Sequence, residues 1–282
     1  ESGRPAGLEI IQESGGTAST IQRGVAFVEH AIEQSDSVPR VDMAIDELII
    51  GTICGGSDAT SGITANPAIG RAFDRFVADA TPELGREIVA SVEKAARYYT
   101  VLGHGSFAPG NADGGLTTQE EKSLGAYCKS GASKISGILK PGDVPPTGGL
   151  YLLDVVPDGD VRFGFPNISD NAEIVELMAC GCHVNLFATG RGSVVGSAIS
   201  PVIKVCANPD TYRKLSGDMD VDAGRVLEGR ATLDEVGDEI YGLVLGVATG
   251  ERTKSEALGH QEFILTYKTF EPIGPSCLPV LR

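Results

Sequence analysis

Three glycine-rich stretches hold most of the polar side chains that could do chemistry in this sequence. They are CGGSDATSG from residue 54, GNADGG from residue 110 and TGRGSVVGS from residue 189. Glycine lets backbone N–H groups approach an anion closely, and a helix N-terminus adds partial positive charge. The first two stretches are therefore candidate anion cradles. Tight turns without a ligand are the alternative for each stretch taken alone.

The segment after GNADGG adds two charged side chains to the start of a predicted helix. Thr118 and Glu121 have the spacing of a capping box. Glu121 is a candidate metal ligand or general base, and Lys122 a candidate proton donor or anion-binding group. A helix cap and a solvated lysine are the simpler interpretation of the same pair. Of the four histidines, His104 in LGHGSF is the best functional candidate because it lies just before this loop.

Further candidate groups lie at the ends of apolar runs. Arg191 stands between two glycines, where a guanidinium can form a bidentate pair with a carboxylate or sulfonate. Lys204 lies in an apolar run, so we expect it either to face a site at the run's end or to be paired in the interior. Cys54 and Asp58 are candidate metal ligands. A buried cysteine that acts as a small apolar residue is the alternative for Cys54.

Apolar runs that alternate with helical patterns predict an α/β fold with a mostly parallel sheet and helices on both faces. Because loops at the carboxyl ends of parallel strands gather at one edge, the glycine loops should build a single site. Asn66 is the expected N-cap of a helix that begins near Pro67. The predicted strands are 48–54, 151–156, 184–189 and 202–207; the predicted helices are 67–77, 82–99, 119–129, 171–179 and 233–248.

Composition excludes several classes of protein. The chain has 282 residues, a net charge of −15 and a pI near 4.7, which disfavours binding to nucleic acid or to an anionic membrane surface. No apolar run is long enough to span a membrane. The six cysteines are dispersed and contain no CxxC pair. We therefore expect reduced thiols in a cytoplasmic protein. The spacing in GRGSVVG does not fit the dinucleotide fingerprint, and a P-loop motif is absent.

We expect two regions. Residues 1–45 are predicted to be a linker or peripheral segment with an apolar helical stretch near Ile21 to Ile32, and residues 46–282 a single α/β catalytic domain. The abrupt start predicts a truncated chain that is the C-terminal part of a longer one.

Five ordered motifs resemble the altronate and galactarate dehydratase family: CGGSDATSGITANPAIG, GNADGGLTTQEEKSLG, TGRGS, PVIKV and DMDVDAG. Four further segments resemble the sulfolactate sulfo-lyase members of that family: LGHGSFAPGNADGG, GLYLLDVVPDG, FGFPNISDNAEI and QEFILTYKTFEPIGPSCLP. The resemblance implies a Rossmann-like variant fold. It also implies a lyase that removes a proton next to a carboxylate and expels a group from the adjacent carbon. That group is sulfite from (2R)-3-sulfolactate, giving pyruvate, or water from a sugar acid.

The resemblance also implies a divalent metal, typically Fe2+, a small β-clip subunit as partner and a homo-oligomer. Cys54, Asp58 and Glu121 become the candidate metal ligands, and Glu121, Lys122 and His104 the candidate catalytic groups. The candidate substrate-binding residues are Ser57, Asn66, Asn111, Gly114, Gly115, Thr117, Arg191, Gly192 and Lys204.

Two departures from the family pattern qualify these expectations. Ala188 stands where the family has a threonine, which removes one hydroxyl group next to the TGRGS loop. Around Val77 to Ala80 the chain lacks a glutamate-containing segment that family members carry, so a metal or substrate ligand is expected to be missing there. An alternative of another class is a non-catalytic subunit that binds a carboxylate or sulfonate.

Overall fold

The computed structural model describes residues 5–74, 90, 93–94, 109–156 and 169–264. The chain forms two compact units, one up to Ile45 and one from Asp46 onward. The first unit contains helix α1 (Thr17–Asp36), which includes the apolar stretch predicted near Ile21 to Ile32. A short 3₁₀ turn, Ile45–Glu47, lies at the division.

The described part of the second unit contains six strands and seven further helices. The strands are β1 (Ile50–Cys54), β2 (Ile135–Leu139), β3 (Leu150–Leu153), β4 (Val184–Thr189), β5 (Val202–Cys206) and β6 (Val221–Asp222). The helices are α2 (Ala65–Phe73), α3 (Pro109–Asp113), α4 (Gln119–Tyr127), α5 (Asp170–Ala179), α6 (Pro209–Lys214), α7 (Leu233–Ala248) and α8 (Lys254–Leu258).

The main sheet has the strand order β1-β4-β5-β6, and every pairing in it is parallel. Successive side chains of a strand point to opposite faces. Leu186 and Ala188 of β4 therefore pack with α2 and α7, whereas Phe187 packs with α5 on the other face. All residues of β4 and β5 are buried, which explains why both read as continuous apolar runs. The α/β prediction, with helices on both faces of a parallel sheet, is confirmed.

Helix α7 covers one face of the sheet because its apolar residues recur at helical spacing. Val236, Ile240 and Val244 are buried and belong to the same cluster as α2, β4 and β5. Thr232 and Glu235 form a complete capping box that fixes the start of this helix. The observed bounds agree with the predicted helix 233–248.

Other elements differ from their predicted form. Strand β3 ends at Leu153 and pairs with β2 in a separate two-stranded parallel sheet, not with the main sheet. The N-cap of α2 is Thr64, so the expectation for Asn66 is wrong. The Thr64 side chain makes no capping bond; its hydroxyl lies 2.8 and 2.9 Å from the carbonyl oxygens of Thr60 and Ala207, which share its one proton.

Several expectations lie outside the described residues. They concern most of the predicted helix 82–99, the segment at 77–80, His104 and the C-terminal motif from residue 265. Among the helices that the structure does describe, none has both the length and the apolarity that crossing a membrane requires.

Truncation of Ile240 tests this core. Ile240 is 0% exposed, so Ile240→Ala should lower the free energy of unfolding by about 2–5 kcal/mol through lost burial and a residual cavity. Ile199→Ala is the matched control, since Ile199 is 69% exposed and its truncation should cost less than about 0.5 kcal/mol. Urea denaturation followed by circular dichroism measures both. Equal effects would contradict the assigned core.

Candidate functional site

The three glycine-rich loops meet at the carboxyl edge of the main sheet. The loops after β1 and β4 are joined by backbone bonds from the N–H groups of Gly190 and Arg191 to the carbonyl of Gly56, at 3.2 and 3.0 Å. The GNADGG loop joins them through the carbonyl of Gly114, which accepts a bond of 3.0 Å from the N–H of Ala59. The loops therefore form one continuous surface, as parallel strand topology requires.

Asp58 organises the loop after β1. Its Oδ1 accepts bonds from the N–H and hydroxyl groups of both Thr60 and Ser61, at 2.6–3.1 Å. Its Oδ2 accepts a bond of 3.0 Å from the side-chain amide of Asn208, which follows β5. Asp58 is 4% exposed, and a buried carboxylate needs such donors. The carboxylate fixes two loops of the site against each other.

Helix α4 supplies a lysine to this surface. The ammonium group of Lys122 donates a bond of 3.1 Å to the hydroxyl of Ser57, which is buried. The hydroxyl of Thr118 accepts a bond from the N–H of Glu121, so the predicted N-cap is confirmed. The carboxylate of Glu121 accepts bonds from the N–H and hydroxyl of Thr117, at 2.8 and 2.7 Å. These bonds, the backbone bond first, lower the pKa of Glu121. Glu121 acts as an exposed part of the helix cap.

Arg191 brings a second cation to the loops. A Cβ atom at Gly110 would lie 1.9 Å from its Nη1, so the guanidinium lies directly against the GNADGG backbone, where any other residue would displace it. The backbone around Arg191 is held by Thr189, whose hydroxyl accepts a bond of 3.1 Å from the N–H of Gly192. Gly192 has a φ of 83°.

The missing threonine hydroxyl at residue 188 has a structural explanation. Ala188 is 2% exposed and packs in the apolar cluster with α2 and α7. The neighbouring Thr189 makes bonds that stabilise the loop. Ala188 therefore contributes to the core at this edge of the sheet.

A third cation lies beneath the loops. Lys129, in the turn after α4, is 7% exposed, and its ammonium group contacts the thiol of Cys54 at the end of β1. The two residues are 75 positions apart in the chain, so local spacing gave no signal of this contact. Lys122, Lys129 and Arg191 thus bring three cations to an edge that also carries the carboxylates of Asp58 and Glu121. Fixed cations beside the loops can bind an anion.

The predicted metal ligands do not form a metal centre. Within the described ranges, no three His, Cys, Asp or Glu side chains come together as potential ligands. The carboxylates of Asp58 and Glu121 are already taken by protein donors, and Cys54 contacts an ammonium group. These three residues therefore do not fit a divalent ion in the described structure. No step below is routed through a metal.

Lys204 lies away from the loops. It is in the middle of β5, is 0% exposed, and its Nζ has no hydrogen-bond partner among the described residues. Burial lowers the pKa of Lys204, and the nearby carboxylate of Asp220 opposes this effect. Lys204 thus lies in the interior, where Asp220, Asp218 and Glu262 act on its ammonium group electrostatically without a hydrogen bond in the described part of the chain.

Three more candidate residues lie in or beside the helices and loops of the site. Asn66 in α2 donates a bond of 2.9 Å to the carbonyl of Gly125, which joins α2 to α4. Asn111 is buried in α3 and its carbonyl accepts a bond from Leu116. Gly115 has a φ of 93° at the end of the GNADGG loop. His104 lies outside the described residues.

Replacement of Asp58 tests its structural role. Asp58→Asn places an amide N–H₂ against donors that need an acceptor, so it should lower the free energy of unfolding by about 1–3 kcal/mol. Asp210→Asn is the control, because Asp210 is an exposed aspartate in the first turn of α6. Urea denaturation measures both variants. An unchanged stability of Asp58→Asn would contradict the structural role.

Replacement of Lys204 tests whether its charge is uncompensated. Lys204→Met should raise the free energy of unfolding by about 1–3 kcal/mol at pH 7, because the desolvation of the buried ammonium outweighs its attraction to Asp220, Asp218 and Glu262. The pKa of Lys204 is lower in the folded protein than in the unfolded chain. Its charge therefore destabilises the fold fully below the folded-state pKa, and this cost disappears as pH rises toward the unfolded-state pKa of about 10.4. The advantage of the variant should therefore shrink between neutral pH and pH ~10.

Exposed Lys214→Met is the matched control for Lys204, and denaturation at several pH values is the measurement. A loss of stability in Lys204→Met would show that the ammonium has an anionic partner.

Comparison with known proteins places these loops in a family context. The family model described as D-galactarate/Altronate dehydratase, C-terminal, matches residues 45–88 and 79–270. The chain is 35% identical to (2R)-sulfolactate sulfo-lyase subunit beta of Chromohalobacter salexigens, over 90% of this chain and 70% of that protein.

Two dehydratases are also similar. The chain is 31% identical to altronate dehydratase of Bacillus subtilis, over 90% of this chain and 54% of that protein. It is 32% identical to galactarate dehydratase (L-threo-forming) of Escherichia coli, over 84% of this chain and 48% of that protein. The chain thus spans about half the length of these dehydratases. The glycine-rich loops and parallel sheet described above belong to a chain that is a member of the D-galactarate/altronate dehydratase C-terminal family.

Proposed function

We propose that the protein is a lyase that eliminates sulfite from (2R)-3-sulfolactate to give pyruvate. The observation that carries this proposal is that Lys122 binds Ser57 of the first glycine-rich loop while Arg191 lies against Gly110 of the second. It is supported by 35% identity to a sulfolactate sulfo-lyase subunit. We also propose that the parallel sheet and its helices form a variant of the Rossmann-like fold.

The chemistry explains why several cations would converge. Sulfolactate carries a carboxylate at one end and a sulfonate at the other. Removal of the proton next to the carboxylate develops a further negative charge on its oxygens. Fixed cations and donors that are already in place stabilise such charge without reorganisation. The electron pair then expels sulfite from the adjacent carbon, and the enol that remains becomes pyruvate.

Named side chains can share these tasks. We assign to Lys122, which is bonded to Ser57, the binding of the carboxylate oxygens on which the enolate charge develops. Arg191 has the planar guanidinium suited to bidentate binding of a sulfonate or carboxylate. Arg191 lies against the Gly110 backbone of the second loop, and a Cβ atom at Gly56 of the first loop would lie 3.4 Å from the Cβ atom of Arg191.

Elimination of water from a sugar acid is the second candidate function. The observation that favours it is the similarity of 31–32% to three dehydratases. The same loops could hold the carboxylate of altronate or galactarate, with hydroxide as the leaving group. The alternative of a non-catalytic carboxylate- or sulfonate-binding subunit predicts binding without turnover of any of these acids.

Partners and cofactor belong to the proposal as well. The similar sulfo-lyase is named as a subunit, which supports assembly with a second chain. We propose a small β-clip subunit and a homo-oligomer. A requirement for Fe2+ is proposed from the family resemblance, with its ligands outside the set formed by Cys54, Asp58 and Glu121. Location in the cytoplasm stays a prediction.

Turnover by the full-length protein tests this function. Incubation with its small subunit, Fe2+ and (2R)-3-sulfolactate under anaerobic conditions should release sulfite and pyruvate in equal amounts. Lys122→Gln and Arg191→Gln should each lower kcat/KM by about 10²–10³-fold, because each removes one fixed positive charge. Lys214→Gln, at an exposed lysine of α6, is the control and should leave kcat/KM within about twofold.

Outcomes with other acids separate the candidate functions. Turnover of altronate or galactarate without sulfite release from sulfolactate would favour the dehydratase. Binding of these acids with no turnover by the complete, metal-loaded protein would favour the non-catalytic subunit.

A further inference from the structure

Asp170 is a carboxylate at the candidate site that sequence patterns did not single out. It is the first residue of α5, directly after the N-cap Ser169. A Cβ atom at Gly55 would lie 2.8 Å from its Oδ2. The carboxylate therefore lies against the backbone of the loop after β1. The residue that it approaches, Gly55, follows Cys54 directly and precedes Ser57 by two positions. The same Cβ atom would lie 1.9 Å from the ring of Phe187, so glycine at residue 55 leaves room for both the ring and the carboxylate.

The surroundings of Asp170 differ from those of the other carboxylates at the site. Asp58 accepts five hydrogen bonds and Glu121 accepts two from Thr117. In the part of the chain that the structure describes, the Asp170 carboxylate accepts no hydrogen bond and forms no ion pair. A carboxylate without donors keeps its lone pairs for a substrate.

Burial and one cation set the proton affinity of this carboxylate. Burial raises the pKa of Asp170, and the positive charge of Lys122 opposes that effect without forming an ion pair. On its own helix, the next acidic side chain is Glu173, one turn further on. A carboxylate with a raised pKa is a stronger base than an ordinary aspartate, as general base catalysis at neutral pH requires.

Lys122 and Ser57 complete the arrangement. The ammonium of Lys122 binds the Ser57 hydroxyl at 3.1 Å and acts electrostatically on Asp170. A cation, a hydroxyl and an unoccupied carboxylate thus border the same glycine backbone. Abstraction of a proton next to a carboxylate needs these parts: a base for the proton and positive charge for the oxygens that receive the electron pair.

We infer that Asp170 is the general base that takes the proton from the carbon next to the substrate carboxylate, while Lys122 and Ser57 hold the carboxylate oxygens. This inference rests on the proposed lyase function. The C–H bond breaks, its proton passes to Asp170, and its electron pair moves onto the oxygens bound by Lys122. The pair then returns to form the carbon–carbon double bond as the sulfite–carbon bond breaks with its electrons. Asp170 then gives its proton to the methylene carbon of the enol, and the enol hydroxyl releases its own proton to the departing sulfite, which leaves pyruvate and hydrogen sulfite.

A purely structural role makes different predictions. An aspartate in the first turn of a helix stabilises that helix by about 0.3–1 kcal/mol through the helix dipole. Loss of this contribution changes stability and leaves the proton-transfer step unaffected. Kinetic measurements therefore distinguish a base from a helix-start residue.

The test compares Asp170→Asn, Asp170→Glu and the control Asp234→Asn in the full-length protein with its small subunit. Asp234 is a 77% exposed aspartate in the first turn of α7, paired with Arg71. Asp170→Asn should lower kcat for sulfite release by about 10²–10⁴-fold and leave KM within about threefold. Asp170→Glu should recover part of that loss and shift the acid limb of the pH profile. Asp234→Asn should remain within about twofold of wild type.

A second measurement uses the unmodified enzyme and does not depend on the folding of a variant. Because the base must be deprotonated and burial raises its pKa, kcat/KM should fall with decreasing pH at a value above the ordinary aspartate pKa of about 3.9. An acid limb at or below that value overturns the inference. So does an Asp170→Asn variant that keeps more than about a tenth of wild-type kcat with an unchanged profile.

The two proposals fail in different ways. Wild-type protein that converts neither sulfolactate nor a sugar acid refutes the lyase function itself. Active wild-type protein with an equally active Asp170→Asn variant refutes only the role of Asp170.

Discussion

The hydrogen bonds to the Asp58 carboxylate are the constraint on which the candidate site depends. They tie the loop after β1 to the loop after β5, and the buried charge is tolerated because five donors surround it. With this loop fixed, Ser57 faces Lys122 of α4, and Gly55 lies against Asp170 of α5. Lys122, proposed to bind substrate, and Asp170, proposed to react with it, thus both lie against the loop that Asp58 holds.

Local and global electrostatics differ in this protein. The chain as a whole is strongly acidic, yet three cations converge at one sheet edge because α4, the turn after it and the β4 loop each bring one. Net charge predicts partners for the surface as a whole. The chemistry of a site depends instead on which side chains the topology brings within a few ångströms.

The sequence predicted the features that are encoded locally. The apolar run at 184–189 became β4, the helical pattern at 233–248 became α7, and Thr118 caps α4. It did not predict that β3 pairs with β2, since an apolar run does not specify its partner strand. Asn66 was misassigned because Pro67 permits a helix start at more than one position, and the chain enters the helix two residues earlier.

The site could be predicted only in outline. Glycine-rich loops at strand ends indicated an anion-binding edge, because this follows from parallel topology. The contact of Lys129 with Cys54 and the approach of Asp170 to Gly55 depend on packing between segments far apart in the chain. No local spacing contains that information.

The pairing of β1 with β4 also has a consequence for how the protein folds. Ile49 and His183, which are bonded at the start of this pairing, are separated by 134 residues. All the intervening segments must therefore be synthesised before β1 can pair with β4. Such non-local pairing slows folding, and until it forms, β1 exposes unpaired backbone groups that can recruit other strands. The order of synthesis thus makes early folding intermediates the stage most exposed to aggregation.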